Sequence, residues 1–127
     1  MEEQKPFQAQ SKATGHEGEE EACRFIVNLG YRIIKRNFNY GRVGEIDIIA
    51  MDGEQLVFIE VKSRTNRYSY GKPEDSVDWR KQKQLKRVAE GYYHINKLQD
   101  QACRFDVIAV DMSQGRVDIR HLKTAFY

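Results

Sequence analysis

The chain has 127 residues, of which 40% are hydrophobic and 11% aromatic, and a net charge of +2. That length suits one compact domain with a real core. No apolar run approaches the roughly 18 residues of a membrane span, and the polar start is expected to carry no secretory signal. The charge is uneven along the chain: residues 1–61 balance at −4, residues 62–97 at +6 and residues 98–127 at zero. An acidic part followed by a basic block suits contact with a polyanion, although a solvated helix face would give much of the same count.

Residues 1–13 are polar and read as a flexible N-terminal arm, leaving residues 14–127 as the domain. Thr14-Gly15-His16-Glu17 has the T-x-x-E form of a capping box, so a helix is expected from there to Leu29, with Gly30 as its stop. Ala22, Phe25, Ile26 and Leu29 form its apolar stripe, and Glu19 lies on the edge of that stripe facing the interior. Glu20 and Glu21 point further toward solvent and favour the positive helix end.

Residues 31–38 read as a strand and residues 39–42 as a turn into a hairpin. The hairpin strands are 43–51 and 56–64, joined by Asp52-Gly53-Glu54-Gln55. Side chains on a strand alternate between faces. Glu45, Asp47 and Ile49 should therefore share one face of the first hairpin strand, with Ile46, Ile48 and Ala50 opposite. Phe58, Glu60, Lys62 and Arg64 should share one face of the second, which can bring Asp47, Glu60 and Lys62 together.

Residues 65–74 read as a loop, in which Arg67, Tyr68, Tyr70 and Lys72 combine rings and cations. Such a mixture suits stacking on bases and neutralising phosphates, and it equally suits covering a core. A second helix is expected over 76–97, capped by Asp75 or Ser76. Its inner face is Val77, Leu85, Val88, Ala89 and Tyr92, while Arg80, Lys81, Lys83, Lys86 and Arg87 line the remaining surface. Strands at 105–112 and 117–122 follow, joined by Ser113-Gln114-Gly115. Cys23 and Cys103 stand in no CxxC or Cys/His cluster and read as reduced, buried thiols of a cytosolic protein, with no zinc site. The three histidines suggest no triad, Asp106 and Asp111 read as strand-end or pairing residues, and no phosphate-cradling glycine loop is present.

The acidic pair carries a cost that hints at chemistry. Two ionised carboxylates about 5 Å apart repel by roughly 3 kcal/mol at an effective dielectric of 20. They persist when one is protonated or a cation sits between them. Mg2+ takes oxygen ligands, keeps several waters, and is held by one or two carboxylates together with substrate phosphates. A neighbouring lysine can contact a phosphate or an attacking water, as metal-assisted phosphodiester cleavage needs. An exposed ion-pair ladder worth ~0–1 kcal/mol is the bland alternative.

The order αβββαβ, with a helix glutamate, a strand aspartate and Glu60-Val61-Lys62 on the next strand, resembles the PD-(D/E)xK restriction-endonuclease-like superfamily. Gly18-Glu19, Gly30-Tyr31, Arg36-Asn37, Gly44-Glu45-Ile46-Asp47, Phe58 to Arg64 and Lys81 resemble the YraN-like uncharacterised family, related to archaeal Holliday junction resolvases. The resemblance implies an α/β, restriction-endonuclease-like three-layer αβββαβ core with a mixed central sheet. It also implies a metal-dependent endonuclease acting on DNA phosphodiesters, with branched DNA as a substrate and a homodimer as the working form. Asp47 and Glu60 would ligate Mg2+ or Mn2+ with the Val61 carbonyl, Glu19 would complete the site, and Lys62 would position water or stabilise the phosphorane. Arg64, Arg67, Lys81, Lys83 and Arg87 are the candidate nucleic-acid contacts. No proline precedes Asp47, and Glu45 adds an acid that many nucleases lack there. A non-catalytic nucleic-acid-binding module on the same fold is the alternative.

Overall fold

The computed structural model describes residues 7–66 and 71–127, with side chains from Gly15 onward. In chain order the elements are α1 (Phe7–Asn28), β1 (Arg32–Tyr40), β2 (Gly44–Asp52), β3 (Gln55–Arg64), a short 3-10 turn (Pro73–Ser76), α2 (Trp79–Ile95), β4 (Cys103–Asp111) and β5 (Asp118–Phe126). The five strands form one mixed sheet in sequential order. β3 and β4 run parallel and the other neighbours antiparallel. A parallel pair needs a crossover, and α2 supplies it.

Alternation along β3 explains the layering. Val57 and Ile59 pack with Ala22, Cys23 and Ile26 of α1, while Leu56 and Phe58 pack with Leu85, Val88, Ala89 and Tyr92 of α2. The sheet is therefore covered by one helix on each face, a three-layer α/β arrangement compatible with a restriction-endonuclease-like core. Burying both faces favours the near-continuous apolar runs seen at 46–50 and 56–59, where every residue but Asp47 is fully buried. Among the described residues no helix is long and apolar enough to cross a membrane.

Several expectations are corrected. α1 begins at Phe7, so Thr14 lies inside the helix rather than at its cap. Residues 7–13 contain neither Gly nor Pro, and a T-x-x-E pattern suits a helix interior as well as a cap. Residues 1–6 of the expected arm lie outside the described residues. Leu29 is half exposed, because the helix ends at Asn28 and the chain turns through Gly30 (φ +94°) before its angular position can reach the stripe. α2 is capped by Asp78, whose Oδ1 accepts from the Lys81 N–H at 2.9 Å, and the expected caps Asp75 and Ser76 belong to the preceding 3-10 turn. β5 continues four residues past the expected end to Phe126 because its bulge, described next, lets Phe126 reach the core. Cys23 is buried but Cys103 is exposed, at the first position of β4.

α1 crosses β3 closely at Gly18. A Cβ there would lie 2.6 Å from both Cβ and Oγ of Ser63, so glycine is what allows this approach. Glu19 is carried toward the sheet by the same contact.

A second polar assembly lies on β4 and β5, where His121 meets the Phe25 ring of α1. The fully buried Asp106 carboxylate accepts from Arg104 Nε (2.9 Å) and Nη2 (3.2 Å), lies 2.8 Å from His121 Nε2, and accepts the Thr124 N–H (3.0 Å). Arg104 also donates to Asp52, Gln55 and the Tyr31 hydroxyl. Asp106 stands where the β4–β5 register shifts, and it satisfies the Thr124 amide that the irregularity leaves out of the ladder. Burial pushes the Asp106 carboxyl up, but the hydrogen bonds from His121, Arg104 and Thr124 outweigh it and hold it below the usual carboxylate range. Both Asp106 and Asp111, which binds Arg64, are thus pairing residues, as expected. Replacing Asp106 with Ala leaves Asp52 as the remaining acid on Arg104 and leaves the Thr124 N–H without its acceptor, so we expect a loss of about 1–3 kcal/mol, read as a lower urea midpoint with an unchanged slope.

Candidate active site

The site begins where two strands part. β2 and β3 pair from Asp52↔Gln55 to Ile48↔Ile59, and the ladder stops there. One step further, the Asp47 side chain takes the place of a backbone partner: the Val61 N–H donates to Asp47 Oδ2 at 2.8 Å. On the other side of β2, Asn37 lies between the pairs Arg36↔Ile48 and Phe38↔Ile46 and has a left-handed backbone (φ +53°), which asparagine tolerates better than most residues. Strict alternation fails at this kink. Ile46 packs with Ile49 on the α2 side, whereas Ile48 and Ala50 pack on the α1 side, so the three do not share a face as expected.

In the fork the Asp47 and Glu60 carboxyls meet. Burial, a hydrogen bond with Glu60 and the charge of Glu60, in that order, push the Asp47 carboxyl up to about 8. The Val61 N–H and the Lys81 ammonium favour its charged form without prevailing. At neutral pH the pair therefore shares a proton, as close carboxylates do without a cation. Glu60 is buried, and Lys81 Nζ lies 3.2 Å from its Oε2. That ion contact is off hydrogen-bond geometry, so Oε2 is a buried oxygen with no directed donor.

Glu19 approaches from α1. Burial and then the charge of Asp47 push its carboxyl up, against the Arg36 guanidinium, whose Nη2 is 3.8 Å from Oε2. With its NH2 turned toward the acids, the Asn37 amide donates to Glu19 Oε2 at 3.2 Å and to Glu45 Oε1 at 3.0 Å. Glu20 lies further toward solvent than Glu19, as expected, and holds Arg36 at 2.7 Å. Glu21 pairs with Arg24 on the surface.

Among the described residues no three His, Cys, Asp or Glu side chains gather in metal-ligand geometry. The donor set nonetheless fits a hard divalent cation, which needs only one or two carboxylates from the protein. Asp47 and Glu60 supply those, with the undonated Glu60 Oε2 among them. The N–H and C=O of a strand residue point to the same edge, so the Val61 carbonyl faces the gap that β2 has left.

The other predicted residues are distributed unevenly. Lys62 is half-buried on β3, two residues from Glu60, and Lys81 rather than Lys62 is the cation in contact with Glu60. Arg64 binds Asp111 at 2.9 Å and donates to the Gly71 carbonyl, which directs it along the sheet rather than toward a ligand. Lys83 and Arg87 are exposed on α2. Arg67 and the neighbouring Tyr68 and Tyr70 lie outside the described residues. Reading the sequence assigned no role to Asn37, to Arg36, or to Gln84, whose Nε2 donates to the Val43 carbonyl at 2.9 Å and fills the space beside Gly44. Surface clefts elsewhere, lined by 51–55 with 100–102 and by Lys86, Ala89, Glu90, Tyr93, Cys103 and Phe105, hold none of these acids.

Comparison with known proteins bears on this geometry. The model of the family described as "Uncharacterised protein family UPF0102" matches residues 18–110, which include Glu19, Asn37, Asp47, Glu60 and Lys81. The chain belongs to UPF0102. This is the YraN-like family that the motifs resemble. A UPF0102 protein of Desulforamulus reducens is 47% identical over 120 residues, covering 91% of this chain and 97% of its own length. One from Chlorobaculum parvum is 48% identical, covering 88% and 90%, and one from Symbiobacterium thermophilum is 43% identical, covering 92% and 98%. The UPF0102 match thus spans the whole fork.

The proton shared by Asp47 makes stability depend on pH. Between about 4 and 8 the folded UPF0102 chain holds a proton that the unfolded chain releases, so rising pH across that window lowers the stability from this group. Asp47→Asn carries an amide donor permanently and removes the repulsion. In EDTA its melting temperature should exceed the wild type's by an amount that grows from pH 5 to pH 8, reaching roughly 4–8 °C for a gain of about 1–2 kcal/mol. A constant difference across that range would show that Asp47 is not the titrating group.

Proposed function

We propose that this UPF0102 protein is a divalent-cation-dependent endonuclease that cleaves phosphodiester bonds in DNA, with branched DNA among its substrates. The observation that carries this reading is the Asp47–Glu60 contact at the fork, with a buried Glu60 oxygen that lacks a donor. A pair that must share a proton when empty is a pair that a cation relieves. Mg2+ or Mn2+ held by Asp47, Glu60 and the Val61 carbonyl would supply Lewis-acid activation of water and charge neutralisation at the phosphoryl oxygens.

The chain's own residues do the rest. Glu19, held by Arg36 and Asn37, adds negative charge at the α1 side of the fork and can order water there. Lys62 presents its ammonium two residues beyond Glu60 for the attacking water or the phosphoryl oxygens. Lys81, beside Glu60, would be available to a substrate phosphate if that carboxylate held a cation instead. The likeness to the PD-(D/E)xK nucleases and the resolvases supports the reaction class. A four-way junction has symmetry-related strands to cut, so the reading includes a homodimer, acting in the cytoplasm.

One observation favours the alternative of a non-catalytic nucleic-acid-binding module: Lys81 already stands beside Glu60 as a resident cation. The two readings separate cleanly. For an enzyme, Asp47→Ala, Glu60→Ala and Lys62→Ala each lower Mn2+-dependent cleavage of a four-way junction by about 100-fold or more while junction binding in EDTA is kept. Mn2+ calorimetry should show binding to wild type and none to Asp47→Ala. Equal residual cleavage by wild type and all three variants on branched and linear DNA would leave the binding module as the function.

A further inference from the structure

The chain has one tryptophan, Trp79, and it is 67% exposed. It is the first residue of α2 and takes no part in the buried clusters on either face of the sheet. A large aromatic ring left in water on an ordered helix turn offers a face on which a base can stack. The turn is ordered indeed: the Asp78 cap fixes it through the Lys81 N–H, and Lys81 anchors it to Glu60. The Arg80 guanidinium lies 5.6 Å from the ring centroid, so a cation already accompanies its face.

Helical spacing continues the pattern. Residues four apart share a face, which aligns Trp79, Lys83 and Arg87 in one exposed row, with steps of about 6 Å along the axis. Neither Lys83 nor Arg87 forms a salt bridge among the described residues. Their charge is thus not consumed within the fold, unlike that of Arg64, Arg104 and Arg120. A ring followed by two uncommitted cations matches the repeating chemistry of a single nucleic-acid strand, which offers a base face and then phosphates. A duplex with its bases stacked inside offers the phosphates alone.

We propose that Trp79, Lys83 and Arg87 form a subsite for unpaired DNA, in which one base stacks on the Trp79 ring and neighbouring phosphates are neutralised by the two cations. Trp79 shares a turn with Lys81 but lies on the opposite side of α2, since residues two apart do not face each other, so this single-strand contact is on the outer face of the helix. The inference rests on the nucleic-acid part of the proposed function and not on cleavage.

Because Trp79 is the sole tryptophan, its fluorescence reports the subsite directly. Full-length protein in EDTA is titrated with a thymidine oligonucleotide and, separately, with a blunt duplex, and affinities are measured by anisotropy of labelled DNA. Stacking predicts quenched Trp79 emission with the oligonucleotide. Trp79→Ala should weaken single-strand binding about 5- to 150-fold, with less than about a twofold change on duplex, and Trp79→Phe should keep most of the affinity. Lys83→Gln with Arg87→Gln should flatten the salt dependence of single-strand binding by about 1.4 in log–log slope. Unchanged emission and unchanged affinity of Trp79→Ala, in a wild type that does bind DNA, overturn the subsite and leave the nuclease reading standing. A wild type that binds neither DNA overturns the subsite, and one that also fails to bind a four-way junction overturns the nucleic-acid reading with it. A merely structural Trp79 would lower duplex and single-strand binding together, and that outcome also overturns the subsite.

Discussion

Two carboxyls that cannot both be charged without help sit where the central hairpin opens, and the rest of the structure accommodates them. Asp47 and Glu60 could separate if β2 and β3 were free to move, but the strands are fixed from both sides. Below the fork the ladder holds them from Ile48↔Ile59 to Asp52↔Gln55. Across it, the Val61 N–H keeps the Asp47 carboxyl in place, and Gln84 ties the start of β2 to α2 through the Val43 carbonyl. The repulsion is therefore stored in a rigid frame rather than relaxed. A proton, the Lys81 ammonium or a metal cation would relieve it.

The surrounding polar residues read as a graded set of constraints on that pair. Lys81 offsets Glu60 from the α2 side, while Arg36 and Asn37 restrain Glu19 on the α1 side. Hydrogen-bond donors and acids alternate from Glu45 through Asn37, Glu19 and Arg36 to Glu20, so the acids near Asp47 are partly compensated before any ligand arrives. The second polar assembly, around Asp106, differs in kind. Its carboxylate has its lone pairs filled by Arg104, His121 and Thr124, and burial there leaves no oxygen seeking a donor. One assembly is saturated and structural; the other keeps an oxygen undonated.

Much of this was legible in the residues. The runs Ile46 to Ala50 and Leu56 to Ile59 are too apolar for anything but a doubly covered sheet, and Glu60-Val61-Lys62 marks where that covering must admit charge. The inner face of α2 followed from its spacing, and Leu85, Val88, Ala89 and Tyr92 are buried as read. What failed depended on the neighbouring strand. Alternation on β2 breaks at Asp47 opposite a left-handed Asn37 on β1, and nothing in β2 itself signals that. Likewise Lys81 reads as a surface cation until the crossover brings its turn back over β3, and Arg64 reads as a phosphate contact until β4 places Asp111 beside it. Leu29 was misplaced for a simpler reason: a helical period was carried one residue beyond the helix.

The close crossing of α1 over β3 has a bearing on how this fold can diversify. Gly18 and Ser63 occupy what is in effect a single shared volume, since even one carbon added at 18 would fall on the serine's Cβ and hydroxyl. Bulk can be traded between the two positions but not added at both. Sequences that adopt this fold should therefore show compensation there, with a methyl at 18 accompanied by a smaller residue at 63. The partnership ties a helix residue to a strand residue that no local pattern connects, and it sets how far the Glu19 carboxylate can travel toward Asp47.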